Sequence, residues 1–167
     1  MRVIVDGYNL IRNSPHLSRI DREDLEAGRR ELLRRLSEYR RRKGHQVLVV
    51  FDAAEAPYPS RRQERIGGVS VTFSRRGETA DEVIKGLASA GREGVVVITS
   101  DRDLAAFAER QGSSAISVEE FERRIMSFPD SPGKEQEEPD YSPKKKKGTA
   151  RRLPKASRRR QVRLSHL

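Results

Sequence analysis

Cysteine is absent from the 167-residue chain. That excludes disulfide scaffolds, cysteine-ligated zinc sites and thiol nucleophiles together. Long apolar runs are missing too, and nothing approaches the roughly 20 residues of a membrane-spanning helix. Histidine is scarce: His16, His45 and His166 are scattered, without the spacing of a metal pair or a catalytic triad. Ser74 and Ser100 have no base motif nearby. No G-x-x-x-x-G-K loop is present to cradle ATP phosphates, and "GYN" after the first apolar run lacks the glycine spacing of a dinucleotide fingerprint. A receiver-type phosphoacceptor would pair acids at the first strand with a lysine after a late one, and neither is clear. The chain opens directly on a strand pattern. A cytoplasmic protein with no membrane partner is the expectation.

What is abundant is charge, and it is unevenly spread. Charged residues make up 36% of the chain and hydrophobic ones 34%, enough for one core with a solvated appendage. Residues 1–130 hold 23 basic and 21 acidic side chains, a net of +2, whereas 131–167 hold 12 and 4, a net of +8. The basicity therefore sits in the C-terminal part, and its natural counterpart is a polyanion such as a phosphate backbone. From residue 129 onward the composition is Pro, Ser, Lys, Arg and Glu with isolated apolar residues, which cannot offset the entropy of ordering. We expect a disordered basic tail over 129–167, with Lys144, Lys145, Lys146, Lys147, Arg158, Arg159 and Arg160 available to RNA.

Within 1–128, short β-branched runs read as strands covered on both faces: Val3–Val5, Val47–Phe51, Val69–Phe73, Val95–Thr99 and Ala115–Ser117. Helical patterns alternate with them. Leu25, Leu32, Leu33, Leu36 and Tyr39 form one stripe, with Asp21 as the expected N-cap and Gly44 as the stop. Thr79 and Glu82 have the spacing of a capping box, ahead of Val83, Ile84 and Leu87. "DLAAFAERQG" and "VEEFERRIM" supply two more short helices. Alternating strands and helices imply a parallel sheet with right-handed crossovers in a three-layer α/β domain. The Pro-containing stretch "DAAEAPYPSRRQERIGG" is too broken for a packed helix and is expected to be a surface loop.

In such sheets ligands bind beyond the carboxyl ends of the strands, and acids collect there. The first strand ends at Asp6, with Asn9 three residues on; the second ends at Asp52; "SDRD" after the fourth carries Asp101 and Asp103. Glu78 and Asp81 stand at the start of the helix that begins near Thr79, on the same rim. Any one of these acids alone reads more readily as a turn or cap residue. Several on one rim repel each other, and a hard divalent cation, Mg²⁺ or Mn²⁺, relieves the repulsion using carboxylate and phosphate oxygens. A phosphodiester is then the natural substrate.

The ordered set "VDGYNLI", "VVFDA", "GETADEVI" and "VITSD" resembles the NYN-domain proteins, in the YacP-like branch of the PIN-like nuclease superfamily. The likeness covers roughly residues 1–128. It implies a PIN-like domain with a mainly parallel five-stranded sheet in the order 3-2-1-4-5 and an acidic, metal-dependent ribonuclease site. The family includes ribosome-associated endoribonucleases that cut mRNA. By position, the resemblance makes Asp6, Asp81 and Asp101 the catalytic metal ligands. It gives Asn9, Asp52, Glu78 and Asp103 supporting places. Gly7, directly after the first strand, is expected to let the chain turn. Arg61, Arg62, Arg65, Arg75 and Arg76 become candidates for RNA-backbone contacts, with a solvated basic surface as the alternative. The long helix carries further arginines that fit an exposed polar face. A non-catalytic RNA- or ribosome-binding module on the same fold is the rival expectation, and a structure-specific DNA nuclease ranks behind it. Oligomeric state is left open.

Overall fold

The computed structural model describes residues 1–53, 60–91 and 94–125. The expected tail over 129–167, with its seven named lysines and arginines, lies outside the described residues. The elements in chain order begin with β1 (Arg2–Asp6), α1 (Gly7–Asn13), α2 (Leu17–Glu23) and α3 (Leu25–Lys43). Next come β2 (Gln46–Phe51), β3 (Arg62–Ile66), β4 (Val69–Phe73) and α4 (Ala80–Ala90). The chain then runs through β5 (Val95–Ile98), α5 (Arg102–Arg110), β6 (Ser114–Ile116) and α6 (Val118–Ile125). Among the described residues no helix is long and apolar enough to cross a membrane.

One six-stranded sheet runs β3-β4-β2-β1-β5-β6. All pairs are parallel except β3–β4. The five expected strands therefore keep their order, 3-2-1-4-5, and gain an antiparallel edge strand beside the third. That added strand corrects two expectations, the strand count and the assignment of "SRRQERIGG" to a loop. The charged sequence RQERI hides it, because both of its faces are largely exposed. The turn makes it possible. Gly67 and Gly68 both take positive φ, 57° and 83°, as a two-residue hairpin of the primed type requires. A Cβ on Gly68 would also run into the Arg40 guanidinium.

The sheet pleat sorts the core into two layers. Val3, Val5, Val49, Phe51, Val71 and Ile98 point to one face, where Leu10, Ile11, Leu17, Leu32, Leu36 and Phe121 of α1, α2, α3 and α6 cover them. Ile4, Leu48, Val50, Val95 and Val97 point to the other, against Val83, Ile84 and Ala88 of α4 and Leu104 and Ala108 of α5. Uniformly apolar strands are buried on both sides because both faces carry helices. The expected three layers are present.

Two local features differ from expectation. The segment after β1 forms two helices before the long one, and α3 is capped by Asp24, whose Oδ1 accepts the Glu26 N–H at 2.8 Å, not by Asp21. Asp21 lies in α2 and presses on Gly28, where a Cβ would come within 3.1 Å of its Cα. The stop at Gly44 is as expected: it adopts φ 68° and donates to the Arg40 carbonyl. The Thr79–Glu82 capping box is formed in both directions, at 3.2 and 2.9 Å.

Candidate functional site

Strand register brings the acids together. Asp6, the last residue of β1, pairs with Val50 of β2, and Val5 pairs with Ile98 of β5. The three strands therefore end level, and the chain leaves each of them at the same rim. Asp52 follows β2 directly, Asp101 begins the turn into α5, and Asp81 sits in the first turn of α4.

Asp6 is also the N-cap of α1: its Oδ1 accepts the Asn9 N–H at 3.2 Å. That bond favours its ionised form, but burial outweighs it. Desolvation, together with the negative charges of Asp81 and Asp101, pushes the carboxyl from 3.8 up to about 6, against a smaller pull from Arg12. Asp81 and Asp101 thus lie close enough to act on Asp6 electrostatically. Asp101 caps α5, with Oδ1 accepting the N–H groups of Asp103 and Leu104 at 2.8 and 2.9 Å. Its own N–H is held by Thr99 Oγ1 at 3.1 Å.

Asn9 joins two of these segments. Its Oδ1 accepts the Ser100 N–H at 2.8 Å, tying the first turn of α1 to the tip of β5 next to Asp101. Gly7 has no positive φ, so the expected role in turning the chain gives way to one of space. A Cβ there would meet the Phe51 ring.

A hollow of about 460 Å³ gathers part of the set. Asp6, Asn9, Asp52 and Asp81 line it, along with Tyr8, Arg12, Asn13, Leu25, Thr79 and Ala80. Asp101 and Asp103 are exposed beside it and do not line it. Asp52 receives a 3.4 Å hydrogen bond from Ser74 Oγ, which in turn accepts the Ala53 N–H at 3.0 Å. A second hollow of about 640 Å³ shares Asp52 and Thr79 and is walled by Arg75, Arg76 and Glu78.

Glu78 is engaged by arginines. Its side chain, 10% exposed, accepts from Arg61 Nε at 2.8 Å and lies 4.0 Å from Arg75. Arg61 therefore holds its carboxyl down at about 2. This pair anchors the approach to the β3 edge onto the start of α4. Arg62 bonds Glu64 at 2.6 Å within β3, while Arg65 and Arg76 are exposed. Of the five candidate arginines, Arg75 and Arg76 wall a hollow next to the acids.

The residue that sequence reasoning passed over is Lys85. One helical turn beyond Asp81, its Nζ reaches the Asp81 Oδ2 at 2.6 Å. The pairing with Asp81, helped by the charges of Asp101 and Asp103, raises its pKa. The i,i+4 spacing on α4 was the available signal. Among the described residues, no three His, Asp or Glu side chains stand close enough to form a ready metal cage.

The fold has counterparts. The sequence model of the YacP-like NYN domain matches residues 3–164. The chain belongs to the YacP-like NYN family. This is a PIN-like nuclease family, so the resemblance drawn from the four motifs is borne out. The match continues beyond residue 128 into the basic segment. Over 88 residues the chain is 38% identical to the uncharacterized protein YacP of Bacillus subtilis (strain 168). That stretch is 53% of this chain and 51% of the relative, so the chain spans about half the length of the curated relative it matches. Two crystal structures of Rae1 (YacP) from Bacillus subtilis share the fold. One superposes with a TM-score of 0.63 at 33% identity, over 76% of this chain and 74% of that one. The other, a W164L mutant, gives 0.64 at 32% identity over 76% and 75%.

Proposed function

We propose that the protein is a metal-dependent endoribonuclease that cleaves RNA phosphodiesters, with mRNA on the ribosome as the substrate in the cell. The observation that carries this reading is Asp6: a carboxyl raised to about 6 by burial and by two neighbouring aspartates. A buried anion short of positive charge at a strand-end rim is a poor structural element and a good cation ligand. Mg²⁺ takes one or two carboxylates directly and fills its remaining positions with water and phosphate oxygens. The residues fit such an ion, Mg²⁺ or Mn²⁺, held chiefly by Asp6, with Asp81 and Asp101 contributing. When bound, it supplies an activated water and neutralises charge on the phosphorus undergoing attack.

The chain's own residues do the rest. Asn9 fixes the distance between the β1 and β5 tips through the Ser100 N–H, whereas Lys85 pairs with the Asp81 carboxylate and competes with an ion for it. Ser74 orients Asp52 at the junction of the two hollows. Arg75 and Arg76 offer positive charge to the phosphates on one side of the acids. The basic segment after residue 128 adds sequence-independent attraction to RNA.

The rival, a binding module without turnover, draws on one observation: no three potential ligands are preassembled among the described residues. Incubating wild type and Asp6→Asn with single-stranded and structured RNA in Mg²⁺, Mn²⁺ or EDTA separates the two. Metal-dependent cleavage that the Asn variant lacks is the expected result. RNA bound but left intact, both alone and in a translating extract, would establish the binding module instead.

A further inference from the structure

The larger part of the acidic hollow is not acidic. Tyr8, Leu25 and Arg12 line it together with Asp6, Asp52 and Asp81. A pocket that recognised only a phosphate and its cation would have no use for an aromatic and an aliphatic wall. Tyr8 and Arg12 are one helical turn apart on α1, so they share a face. The Arg12 guanidinium lies over the Tyr8 ring at 5.7 Å from its centre. Tyr8 is half-buried and braced edge-on by Phe51 at 5.1 Å, and Phe51 is itself stacked on Phe73 at 5.6 Å. The ring is thus preset from the core side, while Arg12 is exposed.

We propose that the Tyr8–Arg12 pair is a nucleobase subsite, which seats one unpaired base of an RNA strand immediately beside the carboxylates. This rests on the reading of the protein as an RNA-cutting enzyme and adds which part of the substrate the hollow recognises. The chemistry is stacking: tyrosine rings and guanidinium planes both take the flat face of any base, and Leu25 supplies an apolar flank. A base inside a duplex cannot enter, because its faces are already covered by its neighbours. In the adjoining hollow, which shares Asp52 and Thr79, the Arg75–Arg76 turn meets neighbouring phosphates. The groove thus holds a base at one end and backbone at the other, with the scissile phosphate over Asp6. Single-stranded RNA is the substrate form this selects.

The test is a binding cycle with the full chain in EDTA, where RNA is bound without metal-dependent cleavage. Affinities are measured by fluorescence anisotropy for a labelled single-stranded 12-mer and for the same 12-mer with one abasic site moved along it. Wild type, Tyr8→Phe, Tyr8→Leu and Arg12→Gln are compared, with thermal melts to verify folding. At one position the abasic site weakens wild-type binding by about tenfold, the lower part of the range for base–aromatic stacking. Tyr8→Leu costs intact RNA a similar factor but costs nothing further on that abasic strand, and Tyr8→Phe behaves as wild type. Arg12→Gln, at an exposed position, shows the same non-additivity on a smaller scale and carries the test if Tyr8→Leu melts early. Abasic sites without effect at every position, or losses that simply multiply, overturn the subsite while RNA binding and cleavage stand. A wild type that neither binds nor cuts RNA overturns the nuclease reading and the subsite with it.

Discussion

Asp6→Asn separates the charge of this side chain from its capping role. Asparagine caps a helix about as well as aspartate, so the bond from the Asn9 N–H survives and only the ionised carboxylate is lost. The cost of that carboxylate can be worked out from its environment. Its pKa rises from 3.8 to about 6 on folding, and two units correspond to about 3 kcal/mol. Asp6 is half-buried, and partial solvent screening brings the expected gain for the Asn variant to about 2 kcal/mol. The sign follows from proton linkage. The folded state holds this proton more tightly than the unfolded state, so the contribution of Asp6 to wild-type stability is greatest below about pH 4 and is lost as pH rises through about 6. The variant lacks that fall. In EDTA, denaturant and thermal unfolding from pH 3.5 to 8 should show the two proteins equal at the acid end. At pH 8 the variant should melt roughly 4–8 °C higher. Adding Mn²⁺ should raise the melting temperature of wild type alone. An Asn variant no more stable at pH 8, or one whose gain is the same at pH 4, would refute the claim that a destabilised charge is stored at the end of β1.

Lys85→Met should tighten Mn²⁺ binding about two- to fivefold by calorimetry, because it frees Asp81 from an exposed ion pair of ordinary strength; weaker binding would make Lys85 a support for the site. Gly68→Ala should destabilise by about 1–2 kcal/mol in urea, the cost of a Cβ at positive φ, with further loss from displacing Arg40; an unchanged midpoint would remove the hairpin from the stability of the edge. Truncation after Phe128 should leave a folded domain whose RNA affinity depends less steeply on salt, and an unaltered salt slope would mean that the basic segment makes no phosphate contacts.

How much of this was legible beforehand depends on which physical signal each element carries. β1, β2, β4, β5 and β6 announce themselves because strands buried on two faces must be apolar throughout, and a capping box has a fixed spacing. β3 carries the opposite signature: an edge strand exposed on both faces can be RQERI, and only the Gly67–Gly68 turn betrays it. Helices α1 and α2 are seven residues each, too short to show a periodic stripe, and so Asp21 reads as a cap that Asp24 in fact provides. At the site, position at a strand end singles out Asp6 and Asp52, and position in the first turn of a helix singles out Asp81. The different standing of Asp101, outside the hollow yet felt by Asp6, depends on side-chain directions that one-dimensional spacing does not contain. The same is true of Glu78, which binds Arg61 across 17 positions, and of the Asn9–Ser100 bond across 91.

Phe51 carries no chemistry, yet it limits how this rim can vary. Its ring fills the volume that any side chain at position 7 would need, and it is the wall against which Tyr8 rests. A methyl group at position 7 becomes tolerable only if residue 51 shrinks, and a smaller residue 51 lets Tyr8 lean away from its post. The two positions are thus locked together, and neither can drift alone without a cost to the other or to the groove. Inheritance at the acidic rim is governed by a hydrocarbon beneath it as firmly as by the aspartates themselves.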